Sequence, residues 1–161
     1  MWNALDMGTS CEDDFLENTP PQLIFSDVDL GIPYDDDSFD FVYSNMSFFF
    51  FREKALVLQE INRVLRPGGV ARIDIRKVER PDLPVQFFSL FEIWEGNNLV
   101  PFLDYLGRYS NIKTGVARCG PYLELHKTDK LEFNLKLVGS LDINLVSESW
   151  GRGNRSTYVV R

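Results

Sequence analysis

The residues of this chain that invite chemistry are few and scattered. Asp35-Asp36-Asp37, followed by Ser38, is its densest run of carboxylates. Adjacent carboxylates suggest a cation, but a cation cage needs further oxygen ligands arranged around it. A solvated polar turn is therefore the simpler reading. Cys11 and Cys119 share no metal-ligand spacing, and His126 is the single histidine. No metal site is expected from them, and His126 reads as a surface histidine rather than a general base. Tyr43, Asp74 and Glu79 have side chains that suit a substrate contact, yet none is assigned as a base. Ser44 and Asn45 are small polar residues of the kind that close a strand. No nucleophile–base constellation emerges from residue types alone.

Composition narrows the classes. The chain has 161 residues, 44% hydrophobic and 25% charged, which suits one globular domain with a real core. Thirteen phenylalanines are many, and imply either a bulky core or apolar surface for a partner or ligand. The net charge of -7 argues against nucleic acid held by a surface field, since phosphate contacts need clustered Lys and Arg. Met1 to Asp14 turns acidic early and has no cationic apolar signal stretch. The apolar run Phe48–Phe51 is far short of the ~20 residues that a membrane span needs. A soluble, cytoplasmic protein with free thiols is expected.

The elements that would position these residues alternate, strand against helix, as in layered α/β folds. Trp2–Met7 reads as a strand ending at Gly8. Ser10 with Glu12, Asp13 and Asp14 reads as a helix start that Pro20-Pro21 stops. Leu23–Phe25 and Phe39–Tyr43 read as strands. Val57, Leu58, Ile61, Val64 and Leu65 recur at helical spacing and predict a helix over 53–65, with Glu60, Asn62 and Arg63 on its other face. Arg66-Pro67-Gly68-Gly69 ends it, and Val70–Ile75 is the next strand. Phe87, Leu90, Phe91 and Trp94 predict a helix near 84–95, closed by Gly96-Asn97-Asn98. Thr128, Leu131, Leu135 and Val138 predict another over 128–138, stopped by Gly139. Asp142–Glu148 and Ser156–Val160 complete the chain as strands around a turn at Gly151–Asn154.

Two stretches carry a resemblance. The first is Phe25-Ser26-Asp27-Val28-Asp29-Leu30-Gly31-Ile32-Pro33-Tyr34-Asp35-Asp36-Asp37-Ser38-Phe39-Asp40-Phe41-Val42. The second is Glu60-Ile61-Asn62-Arg63-Val64-Leu65-Arg66-Pro67-Gly68-Gly69-Val70. In this order they resemble the class I S-adenosylmethionine-dependent methyltransferases, type 11-like. The resemblance implies a Rossmann-like α/β sheet flanked by helices, mostly parallel with an antiparallel C-terminal strand. It implies one domain over 1–161, with 76–127 as a lid or specificity insertion centred on Phe87–Trp94 and Pro101–Tyr109. S-adenosylmethionine is the implied cofactor. Asp27 stands where the family accepts from the adenine amino group, and the Val28 N–H where it meets the ring. Ser44 and Asn45 follow the strand that leads to the methionine end, and Phe48–Phe51 lie where the family often lines the pocket mouth. Taken without the resemblance, Asp27 reads equally as a turn residue, and the Phe run as core or interface.

The sequence departs from the family at its Gly-rich loop, which lets backbone approach the ribose and the methionine carboxylate. Leu5-Asp6-Met7-Gly8-Thr9-Ser10 is the one candidate, and it supplies one glycine of that loop. Asp6 fits two places: the acidic end of the family's first strand, beside Gly8, or that of its second, which binds the ribose hydroxyls. Under either, the N-terminal half of the cofactor cradle is reduced. The implied reaction is displacement at the sulfonium methyl by an acceptor nucleophile, in which positioning dominates and a base is optional. A small-molecule acceptor is one implied partner. A non-catalytic methyltransferase-like module that binds a protein is the other reading. A nucleotide-dependent dehydrogenase ranks last, because no Gly-x-Gly-x-x-Gly turn occurs.

Overall fold

A computed structural model describes residues 31–44, 47–75, 91–117, 120–144 and 152–161. The expected strands Trp2–Met7 and Leu23–Phe25, and the helix start at Ser10, lie outside these residues. Within them the elements are β1 (Phe39–Ser44), α1 (Lys54–Val64), β2 (Leu65–Asp74), β3 (Phe91–Glu95), β4 (Asn98–Val100), α2 (Phe102–Leu106), β5 (Ile112–Ala117), β6 (Gly120–His126), β7 (Leu135–Asn144) and β8 (Arg152–Val160). A single 3-10 turn spans Phe48–Phe50.

The described strands form two four-stranded sheets, ordered β1-β2-β6-β5 and β4-β3-β8-β7. The pairs β1–β2 and β3–β8 are parallel, and the other four are antiparallel. Among the described residues the sheets are thus mixed rather than mostly parallel, and two helices accompany eight strands. Parallel neighbours need a crossover, and α1 supplies one between β1 and β2. Short connections join β3 to β4 and β5 to β6, and they leave room only for antiparallel return.

Helix α1 forms where the 3.6-residue period predicts it. Val57, Leu58, Ile61 and Val64 are buried on the side that meets β2. In β2, Ala71 and Ile73 are buried, and their neighbours Leu123 and Leu125 on β6 continue the same face. The Arg66–Gly69 segment does end the helix, but it enters β2 as a bulge instead of making a separate turn. Phe39 pairs with Leu65 and Phe41 with Val70, so four residues bulge opposite Asp40. Gly69 is needed there: a Cβ would lie 2.9 Å from the Arg66 carbonyl oxygen and 3.1 Å from that of Asp40.

Neither of the helices expected near 84–95 and over 128–138 is made among the described residues, and 84–90 lie outside them. Residues 91–95 form β3, with Phe91 and Ile93 buried and Glu92 and Trp94 between them. Gly96, at φ +60°, and Asn97 make the two-residue turn of the β3–β4 hairpin. Over 128–134 the chain has no regular secondary structure, with a bend at Asp129, and it becomes β7 at Leu135. Leu131 and Leu135 are buried, Phe133 and Leu137 pack partly against the core, and Val138 is 54% exposed. In both stretches a period of two competes with the helical spacing, and burial selects the period of two. Gly139 lies within β7, at the bulge where the register shifts after Leu137. Arg152–Asn154 pair with Asp142–Asn144 and belong to β8, so the expected turn at 151–154 is not made there.

Residues 91–126, within the expected insertion, contribute strands to both sheets. One core cluster runs through the two, from Leu58, Ile73 and Leu125 to Phe91, Ile93, Phe102 and Tyr158.

Candidate cofactor site at the carboxyl end of the first strand

Strand β1 runs parallel to β2, with Ser44 opposite Ile73. Ser44 is its last residue, and its hydroxyl lies 2.7 Å from that of Ser47. Each hydroxyl has one donor and two acceptor positions, so the pair keeps polar capacity after bonding to itself. It stands at the carboxyl end of a parallel strand pair, the end where α/β sheets place ligands. Of the sequence-predicted site residues, Ser44 alone lies among those described. Asp6, Gly8, Asp27, Val28 and Asn45 lie outside them.

Phe48 and Phe51 follow at once and are buried. Their rings meet edge to face at a centroid distance of 6.2 Å, and Phe48 stacks on Phe102 at 6.3 Å. These two rings are core, which is the reading made without the resemblance. Phe91 is likewise core, in contact with Phe102 and Tyr158.

Approach to β1 is set by a clamp that the sequence reading missed. The Arg63 guanidinium donates to both carboxylate oxygens of Glu60, at 2.9 and 2.8 Å. It also donates to the carbonyls of Tyr34 at 2.8 Å and Ile32 at 2.9 Å, and pairs with Asp36 at 2.8 Å. Glu60 in turn accepts from the Ile32 N–H at 3.1 Å. Hydrogen bonding from Arg63 holds the Glu60 carboxyl below the usual carboxylate range, against the opposing effect of burial. The bonds to Glu60 and Asp36 raise the Arg63 pKa further above its already high value. Lys127 reaches Asp37 at 2.7 Å and the carbonyls of Asn62 and Arg63 at 3.0 and 3.1 Å. Asn62 and the Thr128 backbone exchange two bonds of 2.9 Å.

The polar face of α1 is therefore a set of anchors for 31–37 and 127–128. The acidic run Asp35–Asp37 is a turn, tied down by Arg63, Lys127 and the bond from Arg66 Nε to the Asp37 carbonyl. A signal for this lay in the sequence: an acidic turn preceding a helix end rich in Arg, both within the two motif stretches. Among the described residues, no group of three or more His, Cys, Asp or Glu is arranged to hold a metal ion.

The remaining candidates lie on β1, β2 and β6. His126 bonds to Glu124 at 2.7 Å on β6, both residues half-buried. Tyr43 is 57% exposed and stacks on Phe41 at 6.5 Å. Asp74 is buried at the end of β2. Arg72 lies 3.8 Å over the Tyr122 ring, covering part of the polar face of β2.

Comparison with known proteins agrees with the two motif stretches. Residues 8–73 match the family model described as a methyltransferase domain. Three solved structures are similar over parts of the chain. One is the complex of the Haloferax volcanii Trm112 methyltransferase activator with a putative methyltransferase: 29% identity over 43% of this chain and 31% of that one, TM-score 0.38. Another is a putative sarcosine dimethylglycine methyltransferase from Galdieria sulphuraria: 38% identity over 32% of this chain and 19% of that one, TM-score 0.31. The third, a SAM-dependent methyltransferase from Aquifex aeolicus, is 18% identical over 77% of this chain and 66% of that one, TM-score 0.46. The chain thus spans a third or less of the first two. No curated protein matches. The likeness to the methyltransferase domain family thus lies in segment 8–73, less than half of the chain.

Proposed function

We propose that the chain acts in S-adenosylmethionine-dependent methyl transfer to a small-molecule acceptor. One observation carries this reading. Within the segment that matches the methyltransferase domain model, the acidic turn at 35–37 leads into β1, a 3-10 turn, α1 and a parallel β2, with the Ser44–Ser47 pair at the carboxyl end of β1. Asp6, Gly8, Asp27, Val28, Ser44 and Asn45 would hold the cofactor, which supplies the methyl group when bound. The free donor and acceptor positions of Ser44 and Ser47 suit the polar methionine end. The chain's part in the reaction is then to bind and orient, bringing the acceptor into line with the methyl group. Acceptor choice would reside in the 76–127 segment, and the location would be cytoplasmic.

A calorimetric titration with S-adenosylhomocysteine tests this, beside Asp27→Ala. The expected outcome is micromolar binding that the substitution weakens about tenfold or more, as loss of a hydrogen bond to a buried polar ligand group does. A folded protein that gives no heat would refute it. A non-catalytic, partner-binding module would then be favoured, and the stacked pair Phe41 and Tyr43, 48% and 57% exposed on β1, is where such a partner would dock.

A further inference from the structure

Three fully buried polar side chains converge on the start of α1 from the far end of the sequence. Lys54, Ser156 and Tyr158 are 1%, 0% and 1% exposed. The N-cap residue Glu53 makes no side-chain capping bond. Instead the Tyr158 hydroxyl accepts from the Ala55 N–H at 3.3 Å, a cap supplied by a residue 103 positions away. Ser156 Oγ donates to the Arg52 carbonyl at 2.6 Å and accepts from Lys54 Nζ at 3.1 Å. Lys54 Nζ also donates to the Phe51 carbonyl. Rings reinforce the same junction: Phe51 on Phe48, Phe48 on Phe102, Phe102 on Phe91, Phe91 on Tyr158.

A buried hydroxyl or ammonium is costly unless it is bonded, so these groups strongly favour one arrangement of the 51–55 backbone. That backbone continues directly from Ser47, the partner of Ser44 at the end of β1. We propose that Ser156 and Tyr158 of β8, with Lys54, are positioning residues: they hold the Ser47–Arg52 segment, and through it the Ser44–Ser47 pair, in the geometry that takes the cofactor. The second sheet thereby sets the site on the first. The positioning role rests on the proposed function, whereas the holding of the segment does not.

The test uses the full chain with Ser156→Ala and Tyr158→Phe, the latter removing a single oxygen. Ile112→Val, buried on β5 at the opposite edge of the first sheet and away from these bonds, is the comparator for simple loss of stability. Amide exchange of residues 47–53 and S-adenosylhomocysteine affinity are read for each variant. Exchange in 47–53 faster by about tenfold, with affinity down by a similar factor, is expected in both polar variants and in neither respect for the comparator. Exchange no faster than in the comparator would overturn the proposal. Faster exchange with unchanged affinity would overturn the positioning role and leave a joint between the sheets. Absence of binding by the unsubstituted chain would refute the proposed function and the positioning role with it, while exchange would still decide whether β8 holds the segment.

Discussion

Glu60 and Arg63 show how motif residues can serve the backbone of their own chain. Both belong to the stretch that marks the family, and both spend their polar groups on the chain itself. A bidentate pair beside three backbone bonds fixes where the segment before β1 runs. The Glu60 carboxyl is held below its ordinary value of 4.5. A lowered folded-state pKa means stability that is fully present above the unfolded value and lost as pH falls through the folded one. Glu60→Gln should therefore lower stability at neutral pH and flatten the decline below about pH 4.5. Urea unfolding measured across that range checks both parts, and an unchanged acid limb would contradict the assignment.

At the scale of elements, the run from Leu131 into β7 is the clearest case of two patterns in one sequence. Leu131, Leu135 and Val138 fit a helix, whereas Leu131, Phe133, Leu135 and Leu137 fit a strand. The two patterns agree that Leu135 is buried and disagree about Val138. Leu135→Ala should cost about 2–5 kcal/mol, the usual range for a buried leucine. Val138→Ala should change stability by less than about 0.5 kcal/mol, as at exposed sites. Chemical denaturation of the two variants decides between the patterns, and a large loss for Val138→Ala would restore the helical one. Similar logic holds for β3, where the Gly96-Asn97 turn carries the chain into a hairpin with β4.

For the whole molecule, the joint between the sheets matters most. Each sheet has four described strands, and a single buried cluster links them through the Phe48, Phe91, Phe102 and Tyr158 rings. One core implies one cooperative transition. Leu58→Ala, beneath the first sheet, and Ile93→Ala, in the second, should each lower stability by about 2–5 kcal/mol and shift the same transition. Tryptophan fluorescence and far-ultraviolet circular dichroism should stay coincident in both variants. Separate transitions would mean that the sheets unfold independently, and the influence of β8 on the site would lose its basis. Among the described residues no helix is long and apolar enough to cross a membrane.

By itself the sequence determined those features that rest on local pattern. The α1 period, its stop at Pro67-Gly68-Gly69, the acidic turn before β1 and the strand leading to Ser44 are all legible from spacing and turn chemistry, whereas the bulge that the stop forms in β2 is not. The two motif stretches likewise carry the likeness to the methyltransferase domain family, because they lie close in sequence and describe one strand–helix–strand unit. Tertiary structure decided the rest. Whether Phe91 and Leu135 lie on helices or strands depended on which face was covered, since short apolar runs satisfy both periods. The roles of Glu60, Asn62 and Arg63 as anchors appear only when 31–37 and 127–128 come to lie against α1. Tyr158 capping Ala55 spans 103 residues, and no local pattern encodes a bond whose partners meet only after both sheets have formed.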